Sequence, residues 1–196
     1  VKLEPVTLVG TQVTLDPLTA VHVDDLVDAA SEDRSTYGLT LVPDEREQMA
    51  AYVRAAVDRH AEGQALPFAI RFDGRVVGST RFEDIADWWG RGVPDAVEIG
   101  WTWYAASAQR TAANTEAKLL LLTHAFETWG VRRVTLKTDA RNARSRAAIE
   151  RIGASFEGVR RAHMLAYDGA IRDSAFYSIL DTEWPEVEAR LVARLT

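Results

Sequence analysis

The sequence predicts a single-domain α/β (α+β) protein: a mixed sheet with helices packed on it. Three observations carry that expectation. Apolar runs of period two alternate along the chain with runs of helical period. Two Asp-Gly dipeptides, Asp73-Gly74 and Asp168-Gly169, each lie between alternating segments, which is the strongest short hairpin signal. One long stretch, Val97 to Phe126, reads as a strand, a polar turn and a helix. With 196 residues and 47% hydrophobic side chains, the chain can bury one full core.

Taken in order, Gln12 to Leu18 alternates as a first strand ended by Pro17, and Thr19 to Ala30 has helical spacing through Val23, Leu26, Val27 and Ala30. Glu32 to Val42 is polar and reads as a loop. Pro43 and Asp44 open a second helix that runs to about Ala61, with Met49, Tyr52, Val53 and Val57 on its apolar face and Gly63 closing it. Two strands then flank Asp73-Gly74. Ala86 to Asp95 is a Gly/Pro loop holding two adjacent tryptophans. Val97 to Tyr104 is rich in β-branched and aromatic residues and reads as a strand. The helix after it has Thr111 or Asn114 as N-cap and Glu116 in its first turn. It repeats Leu119, Leu122, Phe126 and Trp129, and stops at Gly130. Arg133 to Thr138 is a further strand, Asn142 to Ile152 a short helix ended by Gly153, Phe156 to Ala166 and Ile171 to Leu180 a second hairpin, and Trp184-Pro185 the start of a last helix.

Composition removes several classes of function. No apolar run approaches a membrane span, and the first residues lack a secretory pattern. There is no cysteine, hence no disulfide, thiol nucleophile or thiolate metal site, which suits a cytoplasmic location. The net charge of -6 argues against nucleic-acid binding. His22, His60, His124 and His163 are scattered and none lies in an HExxH pattern, so no metal is expected. A GxSxG elbow, a Rossmann fingerprint and a P-loop are all missing. Inside this acidic chain, Arg132 to Arg161 carries nine Lys or Arg against three Asp or Glu. That run is either a solvated face or a local anion site suited to a phosphate-bearing ligand.

The stretch Gln109-Arg110-Thr111-Ala112-Ala113-Asn114, a helix, the strand RVTLKT, Asn142-x-x-Ser145, a helix and Ile152-Gly153-Ala154-x-Phe156 together resemble the GNAT superfamily of acyl-CoA-dependent N-acetyltransferases. Within it, VEIGW, NTEAKLLLLTHAF, LKTDARNARSRAAIERIGA and FEGVRR are similar to the branch of ribosomal-protein N-terminal (RimJ/RimL-like) acetyltransferases. The likeness spans about Phe68 to Trp184. It implies a mostly antiparallel, splayed sheet in which Val97–Tyr104 and Arg133–Thr138 run parallel. It implies acetyl-CoA as co-substrate, with its pyrophosphate on the amides of Arg110, Thr111, Ala112, Ala113, Asn114 and Thr115 beside Gln109. The family's loop is usually Gln/Arg-x-x-Gly-x-Gly/Ala; this chain has Ala112 where glycine is usual and Asn114 where glycine or alanine is usual.

The resemblance also implies direct attack of an amine on the thioester, which needs a base, donors for the oxyanion and an acid for the departing thiolate. Glu98, alternating with Val97 and Ile99, is the candidate base and would also meet the acceptor; a structural carboxylate paired with an arginine is the competing role. Ser145 is the candidate acid. Asn142 would cap its helix and bond the pantetheine arm, and the backbone near Trp103 and Tyr104 would polarise the thioester carbonyl. Trp88 and Trp89 are either packing residues or a stacking platform for the acceptor. The acceptor implied is a primary amine, on a protein N-terminus, a lysine or a small molecule. A CoA-binding sensor or scaffold is the alternative, and the C-terminal strands and helix offer a surface for a homodimer.

Overall fold

The computed structural model describes Val1 and residues 3–196. Its strands form one eight-stranded sheet in the order β1-β2-β3-β4-β5-β6-β8-β7. The strands are β1 (Leu8–Val9), β2 (Val13–Pro17), β3 (Ala65–Phe72), β4 (Arg75–Ala86), β5 (Ala96–Tyr104), β6 (Arg133–Asp139), β7 (Ser155–Leu165) and β8 (Ile171–Leu180). The helices are α1 (Val23–Ser31), α2 (Arg46–Ala61), α3 (Ala113–Thr123), α4 (Ala143–Ile152) and α5 (Trp184–Ala193). Every strand pair is antiparallel except β5 with β6, which α3 connects. The expected mixed, mostly antiparallel sheet flanked by helices is therefore present.

The two faces of β4 show how the layers are assigned. Ser79 hydrogen-bonds the Tyr52 hydroxyl of α2 (2.8 Å), and Arg81 lies over the Tyr52 ring. The residues between and beyond them point the other way, as the pleat requires. Phe82 meets Trp129 at 4.8 Å between ring centroids, and Thr80 reaches the α3 side through Thr102 and Lys118. So α1 and α2 cover one face, and α3 with the turn after it covers the other. Fully buried Leu15, Phe68, Ile70, Phe82, Leu121 and Leu122 fill the core between them.

Two boundaries and one extra strand differ from the sequence reading for reasons that are local. Helix α2 begins at Arg46 rather than at Pro43-Asp44, because Glu45 remains extended (φ -89°, ψ 140°) and acts as its N-cap residue. The helix from Ala113 ends as an α-helix at Thr123 and continues as a π-turn, His124–Trp129, before Gly130 closes it in the left-handed region (φ 67°). That wider turn brings Trp129 onto both His124 and Phe82. Strand β1 is only two residues long, too short for any period to reveal.

Lys118 of α3 is buried at 4% exposure, and among the described residues no carboxylate is paired with it. Its Nζ donates to Thr102 Oγ1 (2.9 Å), which in turn bonds Thr80 Oγ1 (2.8 Å). Burial pulls its pKa down from the ordinary 10.5 to about 7. The unfolded chain therefore binds more protons than the folded one between those values, so this group makes stability climb as pH rises from about 7 towards 10.5. Lys118→Met should raise stability at pH 7, because it removes a desolvated ammonium that has no carboxylate partner. It should also flatten that climb. Urea unfolding of both proteins from pH 6 to 10 checks this; parallel curves at every pH would contradict it.

Candidate active site

Strands β5 and β6 pair over only three positions, Ala96 with Arg133, Val97 with Val134 and Glu98 with Thr135. Beyond Glu98 they part, and the remaining lengths of both strands edge a gap. The divergence coincides with a bulge in β5. Ser79 pairs with Trp103 and Arg81 with Gly100, so β5 carries one residue more than β4 across this interval. Trp101 takes up the excess at φ 53°. Its ring is held by Arg81, whose guanidinium carbon lies 3.9 Å from the ring centroid, while Lys118 and Thr80 grip Thr102 from the opposite face. Gly78 completes the arrangement, since a Cβ there would collide with the carbonyl oxygen of Trp103.

This register also orients the backbone at the end of β5. Ala105 N donates to Val77 O (2.6 Å), so in the antiparallel ladder Trp103 and Ser79 form the neighbouring bonded pair. The N–H of Trp103 is thereby turned to β4, and that of Tyr104 to the gap. The Trp103 ring is buried edge-on to Tyr37 at 6.0 Å.

Glu98 is the last β5 residue paired with β6, at 3% exposure on the α2 face. Lys137 Nζ donates to its Oε2 (2.7 Å) and also reaches Asp84 Oδ2 at 3.3 Å. The partner of the carboxylate is thus a lysine of β6 rather than an arginine. Burial raises the Glu98 pKa to about 8, with the charges of Glu83 and Asp84 adding and Lys137 opposing. For Lys137, burial works against the charge, but Glu98, Asp84 and Glu83 outweigh it and hold its pKa above the ordinary value. A carboxylate in this setting can change protonation state near neutral pH, as a general base must.

On the same face, a cavity of about 250 Å³ opens beside Glu98, lined by Asp84, Trp88, Glu98, Arg133, Thr135 and Phe176 among others. Of the two adjacent tryptophans, Trp88 lines it. The Trp89 ring stands edge-on to Trp88 and carries Arg91 at 4.9 Å. Asp95, fully buried, anchors this loop by accepting from Trp88 N (2.7 Å) and pairing with Arg91.

At the far end of β5, a 3-10 turn (Ala106–Ala108) leads through Gln109 to Arg110, which sits in the left-handed region at φ 64°. Thr111 Oγ1 donates to Ala108 O (2.7 Å) and accepts from Ala113 N (3.2 Å). So the N-cap position falls to Ala112 rather than to Thr111 or Asn114: Thr111 supports the helix start from one residue before it, and Asn114 lies inside the first turn. Ala112 has ordinary helical angles (φ -65°, ψ -18°), so its Cβ costs nothing in backbone strain. The amides of Asn114 and Thr115, unpaired within a helix start, and the left-handed residue before them form a concavity that suits an anion. The Gln109 side chain is engaged otherwise: its Nε2 donates to Tyr104 O (2.9 Å) and Thr36 Oγ1 (3.1 Å), and its Oε1 accepts from Arg144 (3.1 Å).

Across the gap, Asn142 caps α4 by accepting from Ser145 N (3.0 Å). Among the described residues the Ser145 hydroxyl has no hydrogen-bond partner, and the side chain is half-buried. The site is therefore two-sided. The turn from Gln109 to Thr115 and the start of α4 flank one end of the gap, and Glu98 with the Trp88 cavity occupies the α2 face. Lys137, Glu83, Asp84, Phe176 and Arg144 were not singled out in the sequence. Lys137 was within reach of that reading, because alternation in RVTLKT and a parallel β5–β6 pair place it on the Glu98 face.

A family model described as "Acetyltransferase (GNAT) domain" matches residues 12–155. The chain is 30% identical over 149 residues to YdaF of Bacillus subtilis strain 168, provisionally named a ribosomal N-acetyltransferase, covering 76% of this chain and 72% of that protein. Among solved structures, a GCN5-related N-acetyltransferase from Brucella melitensis superposes with a TM-score of 0.87 at 32% identity, over 100% of this chain and 87% of the other. Mycobacterium smegmatis RimJ, solved with a CoA disulfide, shares the fold with a TM-score of 0.83 at 23% identity, over 97% and 95% of the two chains. The splayed β5–β6 pair, the anion-suited turn at α3 and these likenesses lead to one conclusion: the chain belongs to the GNAT acetyltransferase family and is an acyltransferase that uses acetyl-CoA.

Proposed function

We propose that this enzyme transfers the acetyl group of acetyl-CoA directly to a primary amine at a protein N-terminus, with Glu98 as the base. The observation that carries the reading is the placement of Glu98. It is a buried carboxylate with a pKa near 8, at the point where β5 and β6 part, beside a cavity open on the α2 face. Acetyl-CoA would lie in the gap with its pyrophosphate on the amides from Arg110 to Thr115, and its pantetheine arm near Asn142. The Tyr104 N–H, directed into the gap, is placed to meet the oxyanion.

In the step itself, an ammonium N–H proton passes to the Glu98 carboxylate. The freed lone pair attacks the thioester carbon, the nitrogen of the tetrahedral adduct gives up its second proton to solvent, and the adduct collapses to the neutral amide with cleavage of the C–S bond. Ser145 gives its hydroxyl proton to the thiolate and recovers one from solvent. Lys137 holds the carboxylate in place. Asp84 and Glu98 favour a cationic acceptor, and Trp88 and Phe176 supply apolar walls for its first side chain. The provisional name of YdaF supports a protein N-terminus as acceptor. A small-molecule amine is the competing acceptor and is separated by assay. The sensor or scaffold reading is weakened by the helical geometry of Ala112.

Three outcomes are expected. Calorimetric titration with acetyl-CoA should show binding at micromolar concentrations, and a thiol-release assay over peptides and small amines should show turnover with peptide N-termini. Binding without turnover on any amine would leave the sensor reading instead. Glu98→Gln should lower kcat by about 10²-fold or more with acetyl-CoA affinity unchanged; an unchanged rate would place the base elsewhere. Trp88→Ala should raise the acceptor KM about tenfold, the equivalent of ~1.4 kcal/mol, and leave the acetyl-CoA KM alone, whereas Trp89→Ala should alter neither. Equal effects of the two tryptophans would remove Trp88 from the acceptor site.

A further inference from the structure

Glu83 of β4 is a second carboxylate at this site, and no role in the fold accounts for it. It is directly opposite Glu98 in the β4–β5 ladder, on the same face, and only 7% exposed. Among the described residues, no hydrogen bond or salt bridge holds its side chain. Acids at such burial are almost never left unpaired when their role is structural.

Gly100 shows how closely the two carboxylates converge. A Cβ on Gly100 would lie 2.8 Å from Glu83 Oε1 and 2.9 Å from Glu98 Oε1. Gly100 is not in the left-handed region, so its backbone does not demand glycine. A side chain at position 100 would meet the flexible ends of both carboxylates and push them aside, so glycine leaves them free to meet. Two acids facing each other across a buried ladder repel, and such a pairing is normally destabilising. Here one strand supplies Glu83, its neighbour supplies Glu98, and a missing side chain lets them meet.

We propose that Glu83 is a positioning residue for the reaction: its carboxylate, held over Gly100 against that of Glu98, offsets the pull of Lys137 and keeps Glu98 competent to take the acceptor's proton. This rests on the reading of Glu98 as base. The charged and titratable groups around Glu98 come from every neighbouring element. Strand β4 brings Arg81, Glu83 and Asp84, and β6 brings Arg133 and Lys137. Arg172 of β8 lies within electrostatic reach of Glu98, and His163 of β7 within reach of Lys137 and Asp84. Tyr52 and Arg59 of α2 face Arg81. Arg81 is taken up by the Trp101 ring, and Arg133 by Glu157. That leaves Lys137 as the cation in contact with Glu98, and Glu83 as the acid opposite it.

The test is the pH profile of kcat/KM with one fixed acceptor, whose own titration is then common to all variants. Replacing Glu83 by the isosteric, neutral Gln should move the rising limb to lower pH by about one unit, and lower the plateau rate about three- to tenfold. Lys137→Met should move the limb the opposite way. Glu83→Asp, which keeps the charge, should restore the limb towards its wild-type position, an outcome that loss of packing alone would not give. Gly100→Ala should cost at least about tenfold in kcat with acetyl-CoA affinity unchanged, since it separates the pair. A Glu83→Gln profile identical to wild type would overturn the proposal, as would unchanged turnover in Gly100→Ala. If Glu98→Gln keeps the limb, Glu98 is not the base. If Glu98→Gln loses it while Glu83→Gln leaves it in place, Glu98 stands and only the pairing falls.

Discussion

The contact between Glu98 and Lys137 sits where the sheet divides, and the rest of the site is arranged around it. Up to Glu98, β5 and β6 share a ladder; past it they separate. A carboxylate at a seam between two paired strands is shielded on both sides, and one in open solvent would titrate far below neutrality. Burial alone would push its titration higher still. Lys137 limits that effect and keeps the charged form within reach. The balance is local, but it is set within the sheet, where β5 and β6 part next to the bulge at Trp101.

That bulge is held from two faces by different means. Arg81 covers Trp101 on the α2 face, and Lys118 with Thr80 fixes Thr102 on the α3 face. Both are cations, and both are almost wholly buried. Each loses hydration there, so burial lowers the pKa of both. Strain and buried charge concentrated at one point of a fold, rather than spread through it, mark a place kept for chemistry at some expense of stability. The end of β5 is tied in as well. Gln109 bonds Tyr104 O, Thr36 and Arg144, so the turn before α3, the segment after α1 and the start of α4 share one set of hydrogen bonds.

Much of this was legible in the sequence, and what was not has physical reasons. Asp73-Gly74 and Asp168-Gly169 marked both long hairpins because a turn is a local event. The α3 and α4 starts were legible through Gln109–Thr115 and Asn142-x-x-Ser145, since caps also act over three or four residues. Composition offered Thr111 or Asn114 as cap, but the cap position is Ala112, with the Thr111 hydroxyl accepting from Ala113 N beside it. Position 98 could be named from alternation. Lys137 was within reach through the parallel β5–β6 pair, but Glu83 was not, because it meets Glu98 through a bulged β4–β5 register set at a distance along the chain. The bulge itself has no signature at Trp101; it follows from Gly78 on the neighbouring strand, where the missing side chain admits the Trp103 carbonyl. The π-turn at His124–Trp129 was hidden for a similar reason, as its apolar spacing is close enough to 3.6 to pass for ordinary helix.

The proposed chemistry depends on the protonation of one buried side chain, and rate profiles report it indirectly, since acceptor amines titrate in the same range. Difference infrared spectroscopy of the enzyme, titrated from pH 6 to 10 and compared with Glu98→Gln, reads the carboxyl group itself. A protonated-carboxyl band that disappears with a midpoint near pH 8 and is missing from the variant is the expected result. A Glu98 carboxylate already fully ionised at pH 6 would contradict it.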